Sequence, residues 1–306
     1  SQTPLNGIMT HKNQTYDTPW NEIIEVFFPQ FMAFFVPGSE DDIDWETEIK
    51  FLDKEFQKLT KESVFGQRHT DKLVEVTLKN NIKKWILIHI EVQAQSKSDF
   101  PERMFVYNYR IYDRFKIPVT SVAILADDSS TWRPGPFQYG MWGSTMGIDY
   151  LTTKLLDYQE KWAYLEGQDN PFAIVVMAHL KALETKKDHS LRKQWKIELT
   201  RLLYEKGYSR TAVINLYRFI DWVLTLPEAL EEIFLEELKA YEKEKNMPYI
   251  TSAERIGKEK GEEKKLLSFV RRAHEQGISV STIAKIVQLD ISMVESILNN
   301  EDINIP

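Results

Sequence analysis

The chain has 306 residues, 42% of them hydrophobic and 12% aromatic, with a net charge of -7. That length suits one main domain with an accessory region, and that composition excludes wholesale disorder. The absence of cysteine excludes disulfides, thiolate catalysis and Cys-based zinc sites, which fits a reducing, cytoplasmic setting.

The first residues, 1–15, read as a flexible tail without the basic and apolar regions of a secretory signal. No apolar run reaches the ~18–20 residues of a membrane span, so a soluble protein is expected. Residues 20–35 are strongly apolar; Thr18 and Pro19 start a helix that Pro29 interrupts. Pro37 to Asp42 reads as a loop. Residues 45–60 read as one amphipathic helix, from Ile49, Leu52, Phe56 and Leu59 at helical spacing.

Two strands follow. Residues 71–78 place Val74, Val76 and Leu78 on one face, and 85–93 alternate Ile86, Ile88, Ile90 and Val92 with Trp85, Leu87, His89, Glu91 and Gln93. Asp71 and Glu91 are thus carboxylates on neighbouring strands. Such a pair suits Mg²⁺, which takes one or two carboxylates beside water and phosphate oxygens. A carboxylate in a run as apolar as 85–92 is costly unless paired or metal-bound. His89 reads as a packed, hydrogen-bonded residue, and neither it nor His69 is assigned to the metal, because Mg²⁺ prefers oxygen.

Pro101 and Glu102 open a helix to about Phe115, its buried stripe formed by Met104, Tyr107, Ile111 and Phe115. Tyr109 and Tyr112 read as core packing. Residues 119–126 form a buried strand ending in Asp127 and Asp128, and Arg133 to Pro136 form a loop. From about 149 the chain reads as helical, and 254–265 as a charged connector or solvated helix. Residues 266–276, 281–287 and 291–298 resemble a helix-turn-helix unit. Its would-be recognition helix carries Glu295 and no Lys or Arg, whereas phosphate contacts need positive charge. A dimerisation or interaction module is the preferred reading, with apolar residues between Ile278 and Leu298 as its surface.

Asp71, nineteen residues, then Glu91-x-Gln93 resembles the PD-(D/E)XK nuclease core in the variant with Gln in the Lys position. Neighbouring words resemble the Rpn family of recombination-promoting nucleases and putative transposases. These are Phe51 to Phe56, Asp71 to Val74, His89 to Gln95, Arg103 to Tyr112, Asp169 to Phe172, Ala178 to Ala182, Arg201 to Tyr204 and Phe219 to Trp222. The resemblance runs from about Tyr16 to about Gly257.

The resemblance implies an α/β restriction-endonuclease-like core at 16–148, a mixed sheet flanked by helices. A helical extension at 149–250 and a charged connector with its helical module at 251–306 complete the organisation. It implies a Mg²⁺ (or Mn²⁺) dependent DNA endonuclease linked to recombination, mobile elements or defence against foreign DNA. Asp71 and Glu91 are then the metal ligands and Gln93 positions the attacking water. Glu55 is the first choice for a further acid, ahead of Glu25 and Glu22. Gln95, Lys97, Arg103 and Arg110 are candidates for DNA contact. A homodimer is expected, since two sites cut two antiparallel strands; no organic cofactor and no membrane association are. The alternative is a catalytically weak nuclease fold serving as a DNA-binding or oligomerising module, which the acidic charge and the missing Lys favour.

Overall fold

The computed structural model describes residues 17–60, 71–91 and 99–299. The fold divides between Leu235 and Glu236 into two compact units. The first is built on a five-stranded mixed sheet in the order β1-β2-β3-β4-β7. Its strands are β1 (Lys50–Phe51), β2 (Asp71–Thr77), β3 (Lys83–Glu91), β4 (Val119–Leu125) and β7 (Leu151–Lys154). A separate hairpin pairs β5 (Phe137–Met141) with β6 (Ser144–Ile148). β1, β2 and β3 run antiparallel to their neighbours, whereas β3–β4 and β4–β7 are parallel.

A parallel connection needs a crossover, and between β3 and β4 it contains α5 (Phe100–Phe115). α5 lies on one sheet face with α4 (Asp53–Thr60): Phe56, Tyr107 and Ile111 pack with Leu73, Trp85 and Leu87. Towards its N-terminus Phe100 and Met104 cover Ala123 and Leu125, flanked by Trp132 and Tyr150. Asn108 fastens the helix by donating to the Val119 carbonyl and the Ser121 hydroxyl.

Contacts to the opposite side come from three helices: α1 (Asp17–Val26), α2 (Phe28–Phe35) and α7 (Pro171–Glu184). Glu25 of α1 pairs with Lys72, Phe28 of α2 packs against Phe51, and His179 of α7 bonds the Ala126 carbonyl. α7 is buried at every position from Pro171 to Leu180, as a helix that is apolar all round must be. Asn170 caps it and Pro171 starts it.

The other helices of this unit are α3 (Ser39–Asp42), α6 (Trp162–Gly167) after a 3₁₀ turn (Leu155–Lys161), α8 (His189–Glu205), α9 (Arg210–Val223) and the start of α10 (Glu228–Lys245). Lys196 of α8 is fully buried; its ammonium bonds Asp221 and Glu231 and lies 4.6 Å from the Phe234 ring centre. That one cation ties α8, α9 and α10 together.

The second unit contains α11 (Tyr249–Glu275), α12 (Val280–Val287) and α13 (Ile291–Leu298). Val270, Ala273, Ile283, Ala284, Val294 and Ile297 form its core, and Leu266, Ile278, Val280, Val287, Leu289 and Leu298 pack around them. α11 therefore absorbs most of the apolar surface expected of the tail, leaving Ile286 and Ile291 exposed.

Three segments differ from the sequence reading, and a fourth, the β5–β6 hairpin, was not assigned in it. Within 45–60, helix begins only at Asp53; an Asp44 turn and the open edge of β2 draw Lys50 and Phe51 into β1. Residues 39–42 form a short helix, α3. β7 lies inside the stretch read as helical, and the β5–β6 hairpin follows the Pro-rich loop. The charged stretch at 254–265, read as a connector or solvated helix, is helix and belongs to the continuous α11.

Pro248 precedes α11 and has no side chain that can cap it, so Glu242 of α10 takes that role. The Glu242 carboxylate, 1% exposed, accepts from the amides of Ile250 at 2.7 Å and Thr251 at 3.3 Å, and from the Thr251 hydroxyl. Glu242→Ala is expected to destabilise the second unit by about 1–3 kcal/mol, the cost of leaving buried donors unsatisfied. Amide hydrogen exchange at Ile250 and Thr251 should accelerate before that at Val270.

Candidate functional site

The antiparallel register pairs Asp71 with His89, and Glu91 lies two residues further along β3. The parallel register continues the row, with Glu91 beside Leu125 and Leu125 beside Lys154. The start of β2 and the ends of β3, β4 and β7 thus share one end of the sheet, and Asp71 and Glu91 lie there.

Asp71 is 7% exposed. Strand alternation gives it the face of Leu73, the α4–α5 side, and gives Lys72 the opposite face, where Glu25 meets it. Glu55, half-buried next to the core residue Phe56, is on the α4–α5 side with Asp71. Glu25 and Glu22 instead line a cleft of ≈ 360 Å³ between α1 and α9, with Arg218, Asp221 and Trp222. Of the three helical acids, only Glu55 is on a helix that packs on the Asp71 face. For Glu91 the structure gives the backbone position at the end of β3. Gln93, Gln95, Lys97 and His69 lie outside the described residues. Among the described residues, no group of three or more His, Asp or Glu side chains could hold a metal ion.

The cationic candidates separate. Arg110 is half-buried on α5. Arg103 is 1% exposed, its guanidinium carbon 5.1 Å from the Phe100 ring centre. It is an interior residue, next to the Phe100–Met104 cluster on which Trp132 and Tyr150 pack. Tyr107 is buried as expected, whereas Tyr109 and Tyr112 are about half exposed and face away from the core.

Sequence reasoning missed an ion pair at this sheet end. Lys154 and Asp127 are 2% and 0% exposed, with the ammonium 2.6 Å from both carboxylate oxygens. Lys154 also donates to the Trp132 carbonyl, and Asp127 accepts from the Ser129 amide. The one signal was an Asp closing an apolar strand. Its partner is 27 residues away, a separation no local pattern reports.

His179 closes the same end from α7. Its Nε2 donates to the Ala126 carbonyl at 2.6 Å, and its ring meets Trp20 edge-on. Burial pushes its pKa down to about 4, with the carbonyl bond working in the other direction.

Compared with family models, curated proteins and solved structures, the chain matches none. Among the described residues no helix is long and apolar enough to cross a membrane.

The folded state therefore holds His179 neutral while the unfolded chain protonates it near pH 6.5. Its contribution to stability is complete above about pH 6.5 and is lost as pH falls towards 4. Urea unfolding of the wild type should lose up to about 3 kcal/mol across that window from this group. His179→Gln should show a correspondingly shallower pH dependence.

Proposed function

We propose that the chain is a Mg²⁺-dependent DNA endonuclease with a PD-(D/E)XK-type core, similar to the Rpn recombination-promoting nucleases. The observation that carries this reading is the register placing Asp71 opposite His89 and two residues from Glu91 at one sheet end. By strand alternation, positions 71, 89 and 91 belong to one face. The donor set fits the ion, since Asp71, Glu91 and Glu55 offer hard carboxylate oxygens and no thiolate.

Asp71 and Glu91 would hold Mg²⁺ (or Mn²⁺), with Glu55 the acid that α4 contributes. When bound, the ion supplies Lewis-acid stabilisation of charge on the scissile phosphate and a lowered pKa for coordinated water. Gln93 orients the attacking water through its amide; water adds to phosphorus as the bond to the 3′-oxygen breaks. An amide brings no charge, so carboxylate positioning matters more here than where a Lys stands. Lys154 is at the same sheet end, but its charge is neutralised by Asp127 in the interior. DNA contacts fall to Arg110 and, from the resemblance, to Gln95 and Lys97.

The burial of Arg103 and Lys154 favours one second reading, in which the same fold is a catalytically weak DNA-binding or oligomerising module. Plasmid nicking separates the two. Supercoiled DNA should be nicked with Mg²⁺ or Mn²⁺ and not with EDTA. Asp71→Ala and Glu91→Ala should each lower the rate roughly 100-fold or more, the scale of losing a principal electrostatic stabiliser. Glu55→Gln should cost roughly tenfold to 100-fold. Metal-independent nicking, or wild-type rates in the Asp71→Ala and Glu91→Ala variants, would overturn the mechanism. No turnover with either metal would leave the second reading.

A further inference from the structure

The β5–β6 hairpin turns through Trp142 and Gly143, whose φ angles of 53° and 85° match the type I′ turn that fits strand twist. Register pairs Tyr139 with Met146 and Met141 with Ser144, so Tyr139, Met141 and Met146 share a face. Near its base that face is held by Phe105 of α5, 5.2 Å from Phe137 between ring centres. Beyond it the cover ends: Tyr139 is 55% exposed, Met141 66%, Met146 49% and Trp142 98%. The opposite face is drawn tight, since a Cβ on Gly140 or Gly147 would lie 2.3–2.4 Å from a carbonyl oxygen of the other strand.

Charge decides what this surface fits. In a chain that is 28% charged, residues 137–148 hold no charged side chain. Nucleic acid binding draws its affinity from Lys and Arg, and a lipid surface calls for a basic rim; the hairpin has neither. Neither strand carries the Lys, Pro or charge that natural edges use to prevent pairing. Exposed Tyr, Trp and Met without Lys, Asp or Glu is the composition of a protein interface core. Two copies, each of net charge -7, repel over most approaches and not over this neutral one.

We infer that the distal hairpin face is a homodimer contact, Tyr139, Met141, Trp142 and Met146 packing on the same residues of a second copy about a two-fold axis. This interface is distinct from the exposed Ile286 and Ile291 of the tail, and it does not depend on nuclease activity.

Light scattering on the full chain in EDTA tests it. Wild type should show twice the 36.0 kDa chain mass. Trp142→Asn keeps a turn-compatible Asn-Gly pair while removing the indole, so a change in mass would not reflect a lost hairpin. Combined with Met146→Lys it should give the single-chain mass and raise the dissociation constant at least about 30-fold, as expected for a central Trp. At protein concentrations below the wild-type dissociation constant the urea midpoint should not change, and Ile286→Glu with Ile291→Glu should stay dimeric. The inference is overturned if wild type is monomeric at all concentrations, or if the hairpin variant remains dimeric. Loss of oligonucleotide or vesicle binding by the hairpin variant at unchanged mass would overturn it too, assigning the surface to DNA or lipid.

Discussion

The first unit depends on one strand being enclosed on every side. β3 shares ladders with β2 and β4, and Trp85, Ile86, Leu87 and Ile88 are buried whichever face they occupy. A polar side chain in that stretch would cost several kcal/mol without a partner. Polar chemistry is thereby confined to the strand ends. The parallel β3–β4 pairing then demands a crossover that returns the chain from the end of β3 to the opposite end of the sheet, where β4 starts. α5 supplies it and becomes the cover of one face. The position of Asp71 and of α4 relative to the end of β3 follows from that arrangement.

Charges taken into this interior are paired or stacked. Lys154 meets Asp127, Lys196 meets Asp221 and Glu231, and Arg103 lies against Phe100. Such pairs add little net stability over an apolar replacement, because desolvation offsets attraction. Their effect is geometric: a buried cation without its carboxylate is so costly that alternative packings are suppressed. Lys154 fixes the residues after β4 against the end of β7, and Lys196 fixes three helices.

The sequence was most legible where local pattern and tertiary demand agree. β2, β3, α5 and β4 follow from alternation and helical spacing, and their ends lie within about two residues of where pattern places them. β1 was illegible because Ile49, Leu52 and Phe56 mimic a helical stripe, while the ladder that claims Lys50 and Phe51 comes from Val74 and Glu75. The hairpin was illegible because Trp142 is an unusual residue at positive φ, and its strands place glycines where alternation expects side chains. For the site, spacing was enough to bring Asp71 and Glu91 to adjacent strands. It could not show Arg103 as interior, since the neighbouring Phe100–Met104 cluster is completed by Ala123, Leu125, Trp132 and Tyr150, all about twenty or more residues downstream.

The hairpin occupies the connection between β4 and β7, neighbouring parallel strands only about 5 Å apart. Twenty-five residues separate Leu125 from Leu151, about twice what a crossover requires. The entropy of closing such a connection grows slowly, by about 0.6 kcal/mol for each doubling of length. The hairpin part of this segment, residues 137–148, can therefore be lengthened, shortened or recomposed in evolution while Asp127, Trp132 and Tyr150 stay on the core and β3, β4 and β7 keep their register. The fold separates the part of the chain that must be inherited intact from a part that natural selection can rewrite at low thermodynamic cost.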